Sequence, residues 1–258
     1  MRFDSANISY YLFSDCNAEK KQGMKEALNI LKNETGVLDF HEILFYDNNH
    51  PPQISVYCSE YKKKNQNNSF VAGEGGPDRL LNLSLYPLII SGEVYLYQNN
   101  KKLECEYPIV ELHELLHVFG FDHLNSSSSV LYPYLSCEQR LNNKITARMV
   151  EIYEREPLAE IYFEKANVSK GGIYLNFEVE IFNRGLIVAK NVQLDLYEIE
   201  SYKKIGNFSL GDIEPGITKT IKLTNFVLPS NRINRIELRL TSETQEYFIK
   251  NNVFESGL

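Results

Sequence analysis

A mixed α/β (α+β) unit followed by an all-β sandwich is the fold class this sequence predicts, and three observations carry it. The first half alternates strand-like with helix-like segments. The second half runs in period-2 alternation with no helical pattern, and the change of character falls at Glu154-Arg155-Glu156-Pro157. Boundaries at 1–158 and 159–258 follow, and 258 residues leave room for two hydrophobic cores.

Ile8 to Phe13 is rich in aromatic and branched residues and predicts a strand. Ala18 to Lys32, with Met24, Leu28 and Leu31 at helical spacing and Gly36 just beyond, predicts a helix. Phe40 to Tyr46 and Ile54 to Cys58 predict two further strands, and the β-helix-β order implies a partly parallel, twisted sheet. Residues 59–69 are rich in Lys, Asn and Gln and predict an exposed loop, with Lys62-Lys63-Lys64 as a solvated run inside it. The cluster Gly73 to Pro77 predicts a sharp turn, and without a Gly-Lys-Ser/Thr ending it does not read as a phosphate loop. Glu93 to Tyr97 predicts another strand, with a turn over 98–102. Pro108 suits the first turn of a helix that continues from Ile109 to Phe119, and Asn142 to Tyr153 predicts the last helix, with Ile145, Met149 and Ile152 on one side.

Beyond residue 158, Ile173, Leu175, Phe177, Val179 and Ile181 alternate with polar neighbours. The same alternation returns at Val192, Leu194 and Leu196, then at Ile236, Leu238 and Leu240, with turns at Asn183-Arg184-Gly185 and Glu214-Pro215-Gly216. Roughly seven short strands without a helix predict a sandwich.

Composition narrows the function classes. A net charge of −7 disfavours nucleic acid and anionic membrane as main partners. No apolar run reaches the length of a membrane span, and no signal peptide is expected from the first residues. The four cysteines, 16, 58, 105 and 137, include no Cys-x-x-Cys pair and all fall in the first half. Three connectivities are open; Cys16–Cys58 with Cys105–Cys137 is preferred, and four reduced buried thiols are the alternative. Seven Asn-x-Ser/Thr triplets, starting at Asn7, Asn33, Asn67, Asn82, Asn125, Asn167 and Asn207, point outward, toward an extracellular or cell-surface location.

The chemistry is concentrated in His113-Glu114-Leu115-Leu116-His117-Val118-Phe119-Gly120-Phe121-Asp122-His123. Positions four apart share a helix face, so His113 and His117 direct ring nitrogens at one ion. Glu114 lies one step around, where a carboxylate reaches water without becoming a ligand. Gly120 allows a sharp exit from the helix, and the returning chain brings His123 as a third nitrogen. Three neutral imidazoles suit zinc and leave one position open. His41 and His50, the other histidines, read as structural or merely exposed.

The spacing His-Glu-x-x-His-x-x-Gly-x-x-His resembles the metzincins, and Ser129-Val130-Leu131-Tyr132-Pro133-Tyr134 looks like the Met-turn of their matrixin (matrix metalloproteinase) branch. The likeness runs in element order over residues 3–155 and is motif-specific from about 109 to 137. It implies a zinc metalloendopeptidase with a twisted mixed sheet and an antiparallel edge strand. His113, His117 and His123 would be the ligands. Glu114 would be the base that assists attack of zinc-bound water on a peptide bond of a protein substrate. Tyr132, Pro133 and Tyr134 would line the pocket for the side chain after the scissile bond. The substrate's extended backbone is expected along Glu93–Tyr97 as edge strand. Leu131 stands where the family carries methionine, a nearly volume-conserving change of a packing residue. No cysteine-switch prosegment is present in these residues.

The second half is similar to CARDB-type immunoglobulin-like modules through Asn183-Arg184-Gly185, Ala189-Lys190-Asn191-Val192 and Asn251-Asn252. That likeness implies a domain that binds a surface or a partner protein, or one that serves as a spacer. The rival to the peptidase is a surface-binding or adhesion protein whose zinc site is structural or degenerate. The intact Glu114 favours the peptidase, because a structural zinc has no use for a base.

Overall fold

The computed structural model describes residues 1–60, 64, 70–83, 86–98 and 105–258. The chain divides into two compact units, Met1–Leu81 with Pro87–Glu156, and Pro157–Leu258 with Asn82–Tyr86.

The first unit runs β1 (Asn7–Leu12), α1 (Ala18–Thr35), β2 (Asp39–Glu42), β3 (Ile54–Ser59), β4 (Gly73–Leu81), β5 (Leu88–Tyr97), α2 (Ile109–Val118) and α3 (Asn143–Tyr153). Its sheet has the order β2-β1-β3-β5-β4, parallel except for β4, which pairs antiparallel with β5 at one edge. Helix α1 starts where the Asn17 side chain accepts from the Lys20 amide and stops at Gly36, whose φ of +67° a side chain would resist. Its buried residues Met24, Ala27, Leu28 and Leu31 belong to the same core as Ile8, Ile54, Val56, Val94 and Leu96 of the sheet. Two disulfides, Cys16–Cys58 and Cys105–Cys137, close this unit. The second joins the lead-in of α2 to the chain beyond Tyr134.

Three expectations are corrected. Gly73 to Pro77 is not a turn but the first half of β4; glycine's weak strand propensity is overridden because a helix lies against this strand, as described below. The strand from Phe40 stops at Glu42. Its last ladder bond runs from the Ile43 amide to the Tyr10 carbonyl, and Leu44 and Phe45 beyond it are 78% and 86% exposed. Finally, β5 is no edge, being paired on both sides, by β3 and by β4. The edge beside β5 is β4, which among the described residues pairs with no further strand. Lys62, Lys63, most of the loop 59–69, Leu85 and residues 99–102 of the turn after β5 lie outside the described residues.

The second unit consists of β6 (Ile161–Gly171), β7 (Tyr174–Asn183), β8 (Ala189–Glu198), β9 (Lys203–Ile213), β10 (Thr218–Val227), β11 (Arg235–Thr241) and β12 (Val253–Gly257). They form antiparallel sheets of order β10-β7-β6 and β12-β11-β8-β9. The inward residues Leu175, Phe177, Val179 and Ile181 of one sheet join Val192, Leu194, Leu196, Ile236, Leu238 and Leu240 of the other in a single apolar core.

Asn183, fully buried, ties the end of this core together. Its amide donates to the Ile187 and Ile213 carbonyls, at 2.9 and 2.8 Å, and its oxygen accepts from the Glu160 and Gly185 amides. Arg184 and Asn251 both reach the buried Glu160 carboxylate, and Asn252 donates to Glu246. Gly185 is bare because a Cβ there would sit 2.4 Å from the Glu160 nitrogen. The polar motif residues of this half thus close the sandwich. Replacing Asn183 with Ala strands four backbone groups and is expected to destabilise the second unit by about 3 kcal/mol, read from urea unfolding. An unchanged midpoint would mean that water serves those groups equally well.

Candidate active site

Helix α2 carries His113, Glu114 and His117, and its exit is built by the next four residues. The Gly120 amide bonds to the His117 carbonyl at 2.9 Å and the Phe121 amide to the Leu116 carbonyl at 3.2 Å, with Gly120 at φ +79°. These paired bonds are those of a Schellman motif, which a residue with positive φ closes. The chain reverses there, and His123 comes back beside the helix.

Three imidazoles meet as a result. The Nε2 of His113 lies 3.0 Å from the Nε2 of His117 and 3.1 Å from that of His123. Carbonyls decide the tautomers. The Nδ1 of His113 is 2.6 Å from the Val130 oxygen and the Nδ1 of His117 is 2.6 Å from the Phe121 oxygen. A carbonyl only accepts, so each Nδ1 carries the proton and each Nε2 is a bare lone pair. Two lone pairs 3.0 Å apart repel unless a cation draws them together. Burial pushes the His113 ring down to about 4, outweighing its carbonyl bond, with His117 and His123 adding to the fall. Burial lowers His117 as well. Both rings therefore stay neutral, the form that binds a metal. Among the described residues this trio is the group of His, Cys, Asp or Glu side chains placed to hold an ion.

Glu114 is 6% exposed. Burial raises its carboxyl to about 8, and the charges of Glu74 and Glu111 push the same way. Glu111, one turn earlier, is itself paired with Lys20 at 2.8 Å. Over Glu114 lies the inner side of β4. A Cβ on Gly73 would stand 2.6 Å from the Glu114 Cγ, and one on Gly75 would stand 2.1 Å from the Glu114 carbonyl oxygen. Glycine at both positions lets the strand touch the helix.

After the histidines, Val130 and Leu131 are fully buried, and Leu124 and Leu131 are joined by a 2.9 Å backbone bond. Leu131 offers no donor atom and packs. Tyr132 is half-buried, Pro133 and Tyr134 are exposed, and the two tyrosine rings lie 5.9 Å apart. His41 bonds Asn7, and His50 pairs with Asp47, both at the surface. The functional parts not named from sequence are the Val130 and Phe121 carbonyls and the pair Gly73 and Gly75. Only the glycines had a readable sign, their spacing of two, which in a strand places both on one face.

A model of the matrixin family matches residues 2–154. The chain belongs to the matrixin family. The family is zinc-dependent. This matrixin is also similar, over 81 residues at 36% identity, to ATP synthase delta subunits of Buchnera aphidicola subsp. Acyrthosiphon pisum, strains Tuc7 and 5A. That match covers 31% of this chain, which spans 45% of the length of those curated relatives. Solved structures that align with it include the following two. One is a CARDB domain from Pyrococcus furiosus in complex with di-metal ions, with TM-score 0.32, 15% identity, 40% of this chain and 96% of that one. The other is catalytically inactive OgpA from Akkermansia muciniphila in complex with an O-glycopeptide, with TM-score 0.26, 10% identity, 100% of this chain and 96% of that one.

Substituting Ala at Gly75 drives a methyl into helix backbone and is expected to cost more than about 2 kcal/mol of stability. The same change at Gly76, where a Cβ meets nothing within 4 Å, should leave the melting temperature unchanged within a degree or two. Differential scanning calorimetry of the two variants checks the contrast; equal behaviour would dissolve the proposed strand–helix contact.

Proposed function

We propose that this matrixin is a zinc metalloendopeptidase that hydrolyses peptide bonds of protein substrates. The observation that carries the reading is the convergence of three imidazole Nε2 atoms, two of them bared by carbonyl bonds, with a buried carboxyl on the same helix as two of the rings. His113, His117 and His123 hold the ion. A zinc ion there supplies a dipositive Lewis acid that polarises a scissile carbonyl and acidifies water beside Glu114.

The rest falls to the protein's own groups. The charge of a bound dipositive ion would offset the burial and hold Glu114 ionised, and its carboxylate takes a proton as water attacks and returns it to the departing amine. Its burial under Gly73 and Gly75 keeps bulk water from competing for that proton. The carbonyls of Val130 and Phe121 hold two rings in the ligating tautomer. The open edge of β4 is the place for an extended substrate, which bonds main chain to main chain there. Tyr132, Pro133 and Tyr134 form the wall of the pocket that receives the side chain beyond the cut.

The first half, 1–158, is in this reading a metzincin-like catalytic domain, and 159–258 an immunoglobulin-like, CARDB-like domain that attaches the enzyme to a surface or partner. The two disulfides suit an extracellular or cell-surface setting.

Replacing Glu114 with Gln should retain one zinc per chain by atomic emission and lower kcat about 10²- to 10⁴-fold on an unfolded protein substrate. Replacing His123 with Ala should lose the zinc itself. Undiminished turnover in the Gln variant would remove Glu114 from its assigned role.

A further inference from the structure

The side of the sheet turned away from α2 carries a row of aromatic rings. Phe13 stacks on Tyr57 at 4.3 Å and Tyr57 on Tyr95 at 4.9 Å, with planes 22° and 18° apart. On its β4 side the row ends without a further stacked ring. Tyr95 is the last ring before β4, and it is 39% exposed.

Next to it the surface falls away. The antiparallel register sets Glu74 opposite Tyr95 and Gly76 opposite Glu93, so these four positions share the outer face. A Cβ on Gly76 would meet no atom within 4 Å. The result is a cavity lined by Glu74, Gly76, Pro77, Glu93 and Tyr95. Two of its carboxylates accept from tyrosine hydroxyls: Tyr95 donates to Glu93 at 3.1 Å, and Tyr97 donates to Glu74. Asp78, which also lines it, accepts from the Ser91 hydroxyl at 2.9 Å and faces Arg79 at 3.8 Å. Burial, followed by the charge of Glu93, pushes the Tyr95 phenol up to about 12, which keeps that ring neutral.

We infer that this notch receives a lysine or arginine side chain of a peptide lying along β4, an inference that rests on the peptidase reading of the same edge. A strand added to β4 lies about 4.8 Å from it and about 10 Å from β5. The added residue paired with Gly76 points its side chain to the outer face, where no β4 side chain stands in the way. A long methylene stem crosses that gap and a short side chain does not. The cation at its end then lies against the Tyr95 ring and between two carboxylates, where a ring face and negative charges attract it together. A neutral or acidic side chain finds no such partner. The edge thus selects for a basic residue at one position of the peptide, on the face opposite to the zinc-side pocket.

The test uses the zinc-loaded, full-length Glu114→Gln chain and a series of fluorescent ten-residue peptides with one Lys at successive positions, each matched by its norleucine analogue. Binding is measured by anisotropy at low and high salt. The expected result is one position at which Lys binds about five-fold tighter than norleucine, the order an exposed ring contact and ion pair supply together. That preference should narrow in high salt and vanish on adding Gly76→Leu, which fills the notch, or Glu93→Gln, which leaves its shape. Absence of binding, equal affinities at every position, or a preference that survives both substitutions overturns the inference. Cleavage of the same peptides by the unsubstituted chain reports separately on the peptidase. A Lys preference in binding with no cleavage sinks the peptidase and keeps the notch, and cleavage without preference does the reverse.

Discussion

Phe121 spends both of its backbone polar groups on helix α2, and the arrangement of the site depends on that double attachment. Its amide closes the helix on Leu116, and its carbonyl holds the proton-bearing nitrogen of His117. The first bond stops the helix where the third histidine can still return to it. The second turns the His117 lone pair inward. Both require the positive φ of Gly120, a conformation that a branched or bulky residue would occupy only under strain. One glycine therefore couples helix termination to the orientation of the neighbouring ring. The Val130 carbonyl does for His113 what Phe121 does for His117, from the opposite side of the cluster.

A second constraint comes from β4. The strand is laid so closely on α2 that a methyl at Gly75 would overlap the Glu114 backbone. This closeness buries the Glu114 carboxyl and lays the rim strand against the helix that carries His113 and His117. The same strand thus covers the Glu114 carboxyl and forms a rim of the sheet. On its other face, Gly76 leaves an opening instead of a contact, so three glycines within four residues serve two different ends.

The second unit is stabilised in another way. Its core is the meeting of two period-2 apolar faces, and its end is sealed by the side chains of Asn183, Arg184, Asn251 and Asn252 around Glu160 and Glu246. An asparagine with all four bonds made inside a core rigidifies the turn it belongs to, and leaving any of its partners bare is costly.

The sequence by itself determined the parts governed by local periodicity and spacing. The helix face shared by His113 and His117, the glycine exit before His123, the start of α1 and its stop near Gly36, and the alternation of β7, β8 and β11 all depend on residues a few positions apart. Tertiary structure alone decided what depends on which segments meet. A strand of Gly-Glu-Gly-Gly-Pro looks like a turn until a helix presses on it, because only then does the absence of side chains become an advantage. The identity of the edge strand likewise depended on pairing order: β5 has the stronger strand pattern and for that reason sits inside the sheet, while the glycine-rich β4 takes the rim. The tautomers of the histidines were invisible as well, since the carbonyls that set them belong to backbone, which every residue carries alike and which only the folded chain brings within bonding distance.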